Sequence, residues 1–245
     1  MSNIRRSRTL PLIESLQRQK HSNALHRVLF EADEPSRPQK KTLRFMVAAP
    51  GSGKSSHIVK HHPDAAVVSA DKHPGLYGPS DKPGGTPSFN PKKLGDAHAH
   101  AQQQAAEHMA AGHPHVIVDN TNTAAWQLAP YLKKAKEHDY QVAISHVHAP
   151  LEQIRRRGVH FPKDKPKTAK DDRLAGMKKE ADGFAKKLHS LKDHPDPMKQ
   201  LDKEGAFHAP WETGEKDGAP RQDHSYAHGL KMTDVQSHDT QSRGD

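Results

Sequence analysis

Four short apolar runs interrupt an otherwise polar chain: Leu43 to Val47, Ala65 to Ser69, His115 to Val118 and Gln141 to Val147. Each has the length of a buried strand and is bounded by turn or charged residues. Between them lie stretches with helical spacing. Ser55 to His62 precedes Pro63. Pro91 to Ala111 has proline in its first turn and Gly112 at its end. Ala124 to Asp139 offers Trp126, Leu128, Tyr131 and Leu132 for packing, with Trp126 read as core. Strands alternating with helices predict an α/β fold, a parallel sheet covered by helices.

The flanks read differently. Leu12, Ile13, Leu16, Leu25, Val28 and Leu29 predict an amphipathic helix, followed by a linker with two prolines, Glu31 to Lys41. Residues 72–90 are dense in Gly and Pro and predict a long loop of the kind that forms lids and substrate walls. Lys163 to Lys170 reads as a basic loop, and Asp171 to Lys192 as a charged helix. From Asp193 onward no period is visible, which predicts a disordered tail. The expected organisation is an N-terminal helical extension over 1–41, a domain over 42–192 and a disordered tail over 193–245.

Composition narrows the chemistry. Only 32% of the 245 residues are hydrophobic, so the core must be concentrated in the strand-rich part. The absence of cysteine excludes disulfides and thiolate metal sites. No apolar run is long enough to cross a membrane, and a soluble cytoplasmic protein is the expectation. Net charge is +9 but uneven. Residues 1–41 carry 9 Lys/Arg against 4 Asp/Glu, and 151–190 carry 12 against 6, whereas 191–245 carry 7 against 11. Positive charge on both sides of the strand-rich part suits a nucleic-acid partner, and equally suits solvated helices. The chain has 21 histidines. His98 and His100 do not share a helix face, and those beyond Asp193 lack ligand spacing, so no metal site is read from them.

The chemistry centres on the first strand. Ala48-Ala49-Pro50-Gly51-Ser52-Gly53-Lys54-Ser55-Ser56 has P-loop spacing, with Ala48 at the first glycine position. Gly51 and Gly53 let backbone N–H groups converge on a phosphate at the start of a helix. Lys54 can reach the β- and γ-phosphates, and the Ser55 hydroxyl can bind Mg²⁺. Asp71 follows the second strand, in the crevice where such sheets bind ligands; it can serve as a general base or cap the next turn. Asp119 ends the third strand where a Walker B acid holds Mg²⁺. Asn120 to Thr123 can contact substrate or cap a helix, with Thr123 as the N-cap. Arg155, Arg156 and Arg157 form either a lid that offsets phosphoryl charge or a solvated basic face.

These motifs together resemble the P-loop polynucleotide kinase group, which includes bacteriophage 5′-hydroxyl polynucleotide kinase and the kinase-like domain of NEDD4-binding protein 2. The matching segments are Pro50 to Ser55, Ser69-Ala70-Asp71, Phe89-Asn90-Pro91 with Leu94 to His98, Val118 to Asn122, Pro130-Tyr131 and Arg156 to His160. The resemblance covers roughly residues 42–180. It implies an adenylate-kinase-like core that transfers the γ-phosphate of ATP, with Mg²⁺, to a 5′-hydroxyl of RNA or DNA. It assigns Lys54 and Ser55 to the phosphates and Mg²⁺, Asp71 as the base, Arg157 as the lid arginine with Arg156 as the fallback, Asp119 to metal and acceptor, and Asn120, Asn122 and His98 to the substrate. Lys72 and His73 stand where the family has an acid and an aromatic, and no arginine follows closely. Two other readings stay open: a P-loop kinase of a small molecule, in the manner of zeta toxins, and an ATP-binding, nucleic-acid-associated protein without phosphotransfer.

Overall fold

The computed structural model of the chain describes residues 40–79, 88–157, 167–210 and 223–240. In chain order the elements are β1 (Thr42–Val47), α1 (Lys54–His61), β2 (Ala66–Val68), β3 (Tyr77–Gly78), β4 (Ser88–Phe89), α2 (Leu94–Ala110) and β5 (His115–Val118). They continue with α3 (Ala129–Glu137), β6 (Gln141–His148), α4 (Leu151–Arg157), α5 (Lys167–Ser190), α6 (Pro197–Lys203) and β7 (Met232–Asp239). The amphipathic helix expected at Leu12 to Phe30 lies outside the described residues.

Five strands form one sheet in the order β2-β5-β1-β6-β7, and every pair in it is parallel. The chain leaves β1 toward β2 on one side and returns to β6 on the other. The loop after β1 therefore opens at the point where the strand order reverses, which is where open parallel sheets bind ligands. A separate hairpin, β3-β4, pairs Tyr77 with Phe89.

The core has two layers because β1 is buried on both faces. Leu43, Phe45 and Val47 face one side, where Ala105 and Met109 of α2, Tyr131 and Leu132 of α3 and Leu188 of α5 pack. Met46 and Ala48 face the other, against Ile58 of α1, Ile117 and Val147. In α2 the buried positions Ala97, Ala101, Ala105 and Met109 recur every four residues, a narrow small-residue stripe that lets the helix approach closely. Its first turn is a 3-10 turn, Pro91–Lys93, so the α-helix begins at Leu94 and not at Pro91. α5 begins at Lys167, inside the stretch read as a basic loop.

The reading of 193–245 as a disordered tail is corrected. Its described part supplies α6, whose Met198 and Leu201 are buried, and a fifth strand, β7, parallel to β6. Lys40–Asp245 forms one compact unit, so the domain does not end at Lys192. The physical reason is visible at Arg44, which is 7% exposed in the middle of β1. Its guanidinium donates to Ser145 Oγ at 2.8 Å, to Asp234 Oδ2 of β7 at 2.8 Å and to His115 Nε2 at 3.2 Å. An edge strand needs one apolar side at most, and β7 is held by backbone pairing and this buried charge. Neither leaves a hydrophobic period in the sequence.

Candidate active site

The strand-to-helix turn after β1 curls because two glycines take left-handed conformations, Gly51 at φ 76° and Gly53 at φ 94°. Gly53 is the N-cap of α1, and His57 N–H already bonds to its carbonyl at 3.0 Å. A Cβ on Gly53 would stand 3.0 Å from Arg157 Nη1 and 3.5 Å from Thr240 Cγ2, so the turn is crowded as well as strained. Pro50 is half-buried and Ser52 buried within the turn; Ser56 is exposed on the first turn of α1.

Lys54 folds back over the loop toward the Ala49 carbonyl, 3.5 Å away. Enclosure lowers the affinity of its ammonium for the proton, while the carboxylates of Asp119 and then Asp71 raise it. Lys54 therefore lies in the field of both acids, which come from different strands.

Asp119 closes β5. Its Oδ2 accepts from Ser55 Oγ at 2.7 Å, and the residue is 8% exposed. Its other oxygen, Oδ1, is buried without a hydrogen-bond partner among the described residues. A buried, unpaired carboxylate oxygen is costly unless a cation completes it. An oxygen-only pair, Ser55 Oγ and Asp119, suits Mg²⁺, a hard cation that keeps most of its water. The residues present fit that ion.

Asp71 is exposed at the end of β2 and held from several sides. Its N–H donates to Ser69 Oγ at 3.3 Å, Ser69 Oγ donates to the Asp119 carbonyl at 2.9 Å, and Tyr77 OH donates to Asp71 Oδ1 at 3.1 Å. Burial, then the Asp71 charge, pushes the Tyr77 phenol up to about 12. Asn120 ties the same strand end: its Oδ1 accepts from Ala70 N–H at 3.0 Å and its Nδ2 donates to Tyr131 OH at 3.4 Å. His98 is exposed on α2; its surroundings hold its pKa low and the nearby Asp71 charge raises it.

Two readings in the stretch Asp119 to Thr123 are corrected. Asn122, expected to touch substrate, is 2% exposed, and its amide donates to the carbonyls of Met46, Val118 and Asn120. It takes φ 46°, a left-handed conformation that asparagine tolerates, and latches β5 to β1. Thr123 is not an N-cap. Gln127 Oε1 accepts from Thr123 N–H at 2.6 Å and from Ala124 N–H at 3.2 Å, so the side chain closes the turn from within.

Of the three arginines, Arg157 reaches the P-loop, donating from Nη1 to the Gly51 carbonyl at 3.1 Å. Arg155 pairs with Asp171 at 3.4 Å and Glu152 at 3.7 Å, which is the solvated arrangement. Two contributors escaped the sequence reading. Tyr77 sits in the Gly/Pro-rich loop with no pattern around it. Thr240 follows β7; its N–H donates to the His148 carbonyl at 2.9 Å, and its methyl borders the P-loop.

The signature of a protein family described as AAA domain matches residues 43–183. Human NEDD4-binding protein 2 is 31% identical over 103 residues, covering 41% of this chain and 5% of that protein; the chain thus spans a small fraction of its relative. Among solved structures, one titled Pnkp1/Rnl/Hen1 RNA repair complex aligns with TM-score 0.45 and 16% identity over 63% of this chain and 48% of that one. A putative kinase from Chloroflexus aurantiacus aligns with TM-score 0.41 and 9% identity, covering 84% and 93%. Mycobacterium tuberculosis APS kinase CysC, in complex with AMPPNP and APS, aligns with TM-score 0.33 and 16% identity, covering 57% and 98%.

Proposed function

This chain belongs to the AAA domain family AAA_33, whose signature spans residues 43–183, and from that premise we propose that it is an ATP- and Mg²⁺-dependent kinase whose acceptor is the 5′-hydroxyl of a polynucleotide. The observation that carries the proposal is the junction at Asp119: its carboxylate accepts from Ser55 Oγ of the P-loop, and its carbonyl accepts from Ser69 Oγ, which in turn accepts from Asp71 N–H. The P-loop, a metal acid and a candidate base from three strand ends are thereby tied together, with Lys54 in the field of both acids. Lys54 and the P-loop N–H groups hold the β- and γ-phosphates. Ser55 and Asp119 would hold Mg²⁺, which neutralises charge on the phosphate oxygens. Tyr77 engages Asp71 Oδ1 and leaves Oδ2 to take the proton of the acceptor hydroxyl. The acceptor's hydroxyl oxygen, freed of its proton, bonds to the γ-phosphorus as the bridge to ADP breaks, and Arg157 stands over the loop to offset the spreading charge.

The polynucleotide acceptor is supported by the motif set around these residues and by charge. Residues 151–190, which include α4 and α5, carry 12 Lys/Arg against 6 Asp/Glu. A small-molecule acceptor is the second reading, favoured by Lys72. Its ammonium bonds to the Val67 carbonyl at 3.2 Å and so turns back toward the sheet.

The test is transfer of γ-labelled phosphate from ATP–Mg²⁺ to 5′-hydroxyl RNA and DNA oligonucleotides, with Asp71→Ala and Lys54→Ala alongside. Label that vanishes in both variants and weakens with salt is the expected result. No label, with ATP binding intact by titration, overturns the polynucleotide assignment.

A further inference from the structure

β6 ends with His146 and His148, two residues apart and therefore on one face of the strand. Opposite them α5 presents Asp182. His146 Nε2 lies 3.0 Å from Asp182 Oδ1, and His148 Nδ1 lies 3.3 Å from the same oxygen. One ligand atom from each of the three residues falls within 4.8 Å of the others. His146 is 8% exposed, and its Nδ1 is fixed by Ser237 Oγ of β7 at 2.9 Å. A ring held through its outer nitrogen, with the inner one aimed at a shared point, is how metal-bound histidines are supported.

A cation already sits beside this carboxylate. Lys178 Nζ lies 2.5 Å from Asp182 Oδ2 and 3.4 Å from His148 Nδ1. It is four residues before Asp182 on α5, on a long stem that can swing to solvent.

We propose that His146, His148 and Asp182 form a binding site for a divalent transition metal of the zinc class, with Lys178 as the internal cation that the metal displaces. Two imidazoles and one carboxylate are a three-ligand zinc set, and water completes the tetrahedron. The 3.3 Å separation of His148 Nδ1 from the shared oxygen matches the edge of about 3.3–3.4 Å of a tetrahedron with metal–ligand bonds of about 2.0–2.1 Å, and the 3.0 Å separation of His146 Nε2 needs only a small outward shift to reach it. His146 is in register with Val47, the last residue of β1. A bound metal would fasten α5 to the sheet next to the strand that carries the P-loop. The site does not rest on the kinase reading.

Cobalt(II), titrated into the full chain and followed by its visible absorption, tests this, with zinc as competitor. One equivalent with four-coordinate intensity, displaced by zinc, is expected. His148→Ala and Asp182→Asn should each weaken binding by roughly tenfold or more. Lys178→Met, which keeps all three ligands, should tighten it. His57→Ala with His61→Ala, which removes the imidazoles stacked near His238, should leave it unchanged. Absence of the cobalt spectrum in both the wild type and Lys178→Met overturns the proposal. So does binding that survives Asp182→Asn and His148→Ala but is lost with His57 and His61.

Discussion

Arg157 rests on the P-loop itself: its Nη1 donates to the Gly51 carbonyl at 3.1 Å and stands 3.0 Å from where a Gly53 Cβ would be. In the amide orientation that satisfies Gln153 at both ends, its oxygen accepts from Arg157 Nη2 at 3.1 Å while its nitrogen donates to Thr240. The guanidinium is thus fixed from both sides against the P-loop turn. Arg157→Ala should lower kcat by about 10³-fold, the low end for an arginine that offsets transition-state charge. ATP affinity should change far less, because in the proposed site Lys54 and the backbone N–H groups, and not Arg157, would hold the ground-state phosphates. Arg157→Lys should not restore the rate, since it lacks the planar fork. Single-turnover kinetics beside an ATP titration separates the two effects.

Asp71 depends on Tyr77 for its orientation, through the 3.1 Å bond to Oδ1. Asp71→Asn should abolish transfer while ATP still binds. Tyr77→Phe should lower kcat/KM roughly tenfold, the worth of a hydrogen bond to a charged group of about 1.5 kcal/mol. A fall in kcat with ATP affinity and Tm unchanged is the readout that distinguishes positioning of Asp71 from a loss of folding.

Asp119→Asn keeps the bond to Ser55 possible but removes the charge facing the unpaired position at Oδ1. Nucleotide affinity should become nearly independent of Mg²⁺. Calorimetric titration of ATP with and without Mg²⁺ measures it. Unchanged Mg²⁺ dependence would remove Asp119 from the metal site.

Acid should destabilise the fold through its histidines. Burial first, then the neighbouring His238, His61 and His62, lowers the His57 pKa from 6.5 to about 4. Burial and Arg44 lower His115 to about 4 as well. Between pH 6.5 and 4 the unfolded chain binds protons at these positions and the folded chain does not, so stability falls as pH falls. Each group contributes at most about 1.4 kcal/mol per pH unit. Above pH 6.5 both states are neutral and the contribution is nil. Thermal melts from pH 8 to pH 5 should show a falling Tm, with a shallower slope in His57→Leu.

Removing residues 223–245 should unfold or aggregate the protein. The deletion exposes the β6 edge and strips Asp234 from the buried Arg44 guanidinium. Asp234→Ala alone should cost about 1–3 kcal/mol, the penalty for a buried charged donor left without one partner. A truncated chain as stable as the whole in urea would contradict this.

What the sequence determined by itself was local. Glycines at 51 and 53 before Lys54 and Ser55 specify the phosphate turn, because its conformation is set by residues within the turn. Apolar runs at Leu43 to Val47, His115 to Val118 and Gln141 to Val147 specify strands, because central parallel strands are buried on both faces. The AAA domain match over 43–183 spans this same stretch. Tertiary structure alone decided the rest. β7 is polar, with its partners about 90 residues away in β6, so hydropathy along the chain carries no sign of it. Asn122 reads as a substrate ligand until three backbone carbonyls are seen to claim its amide. Tyr77 meets Asp71 only because the loop turns back after β2. His146 and His148 face Asp182 only because α5 crosses the sheet above them. Contacts of that kind depend on which strand lies beside which, and packing sets that order.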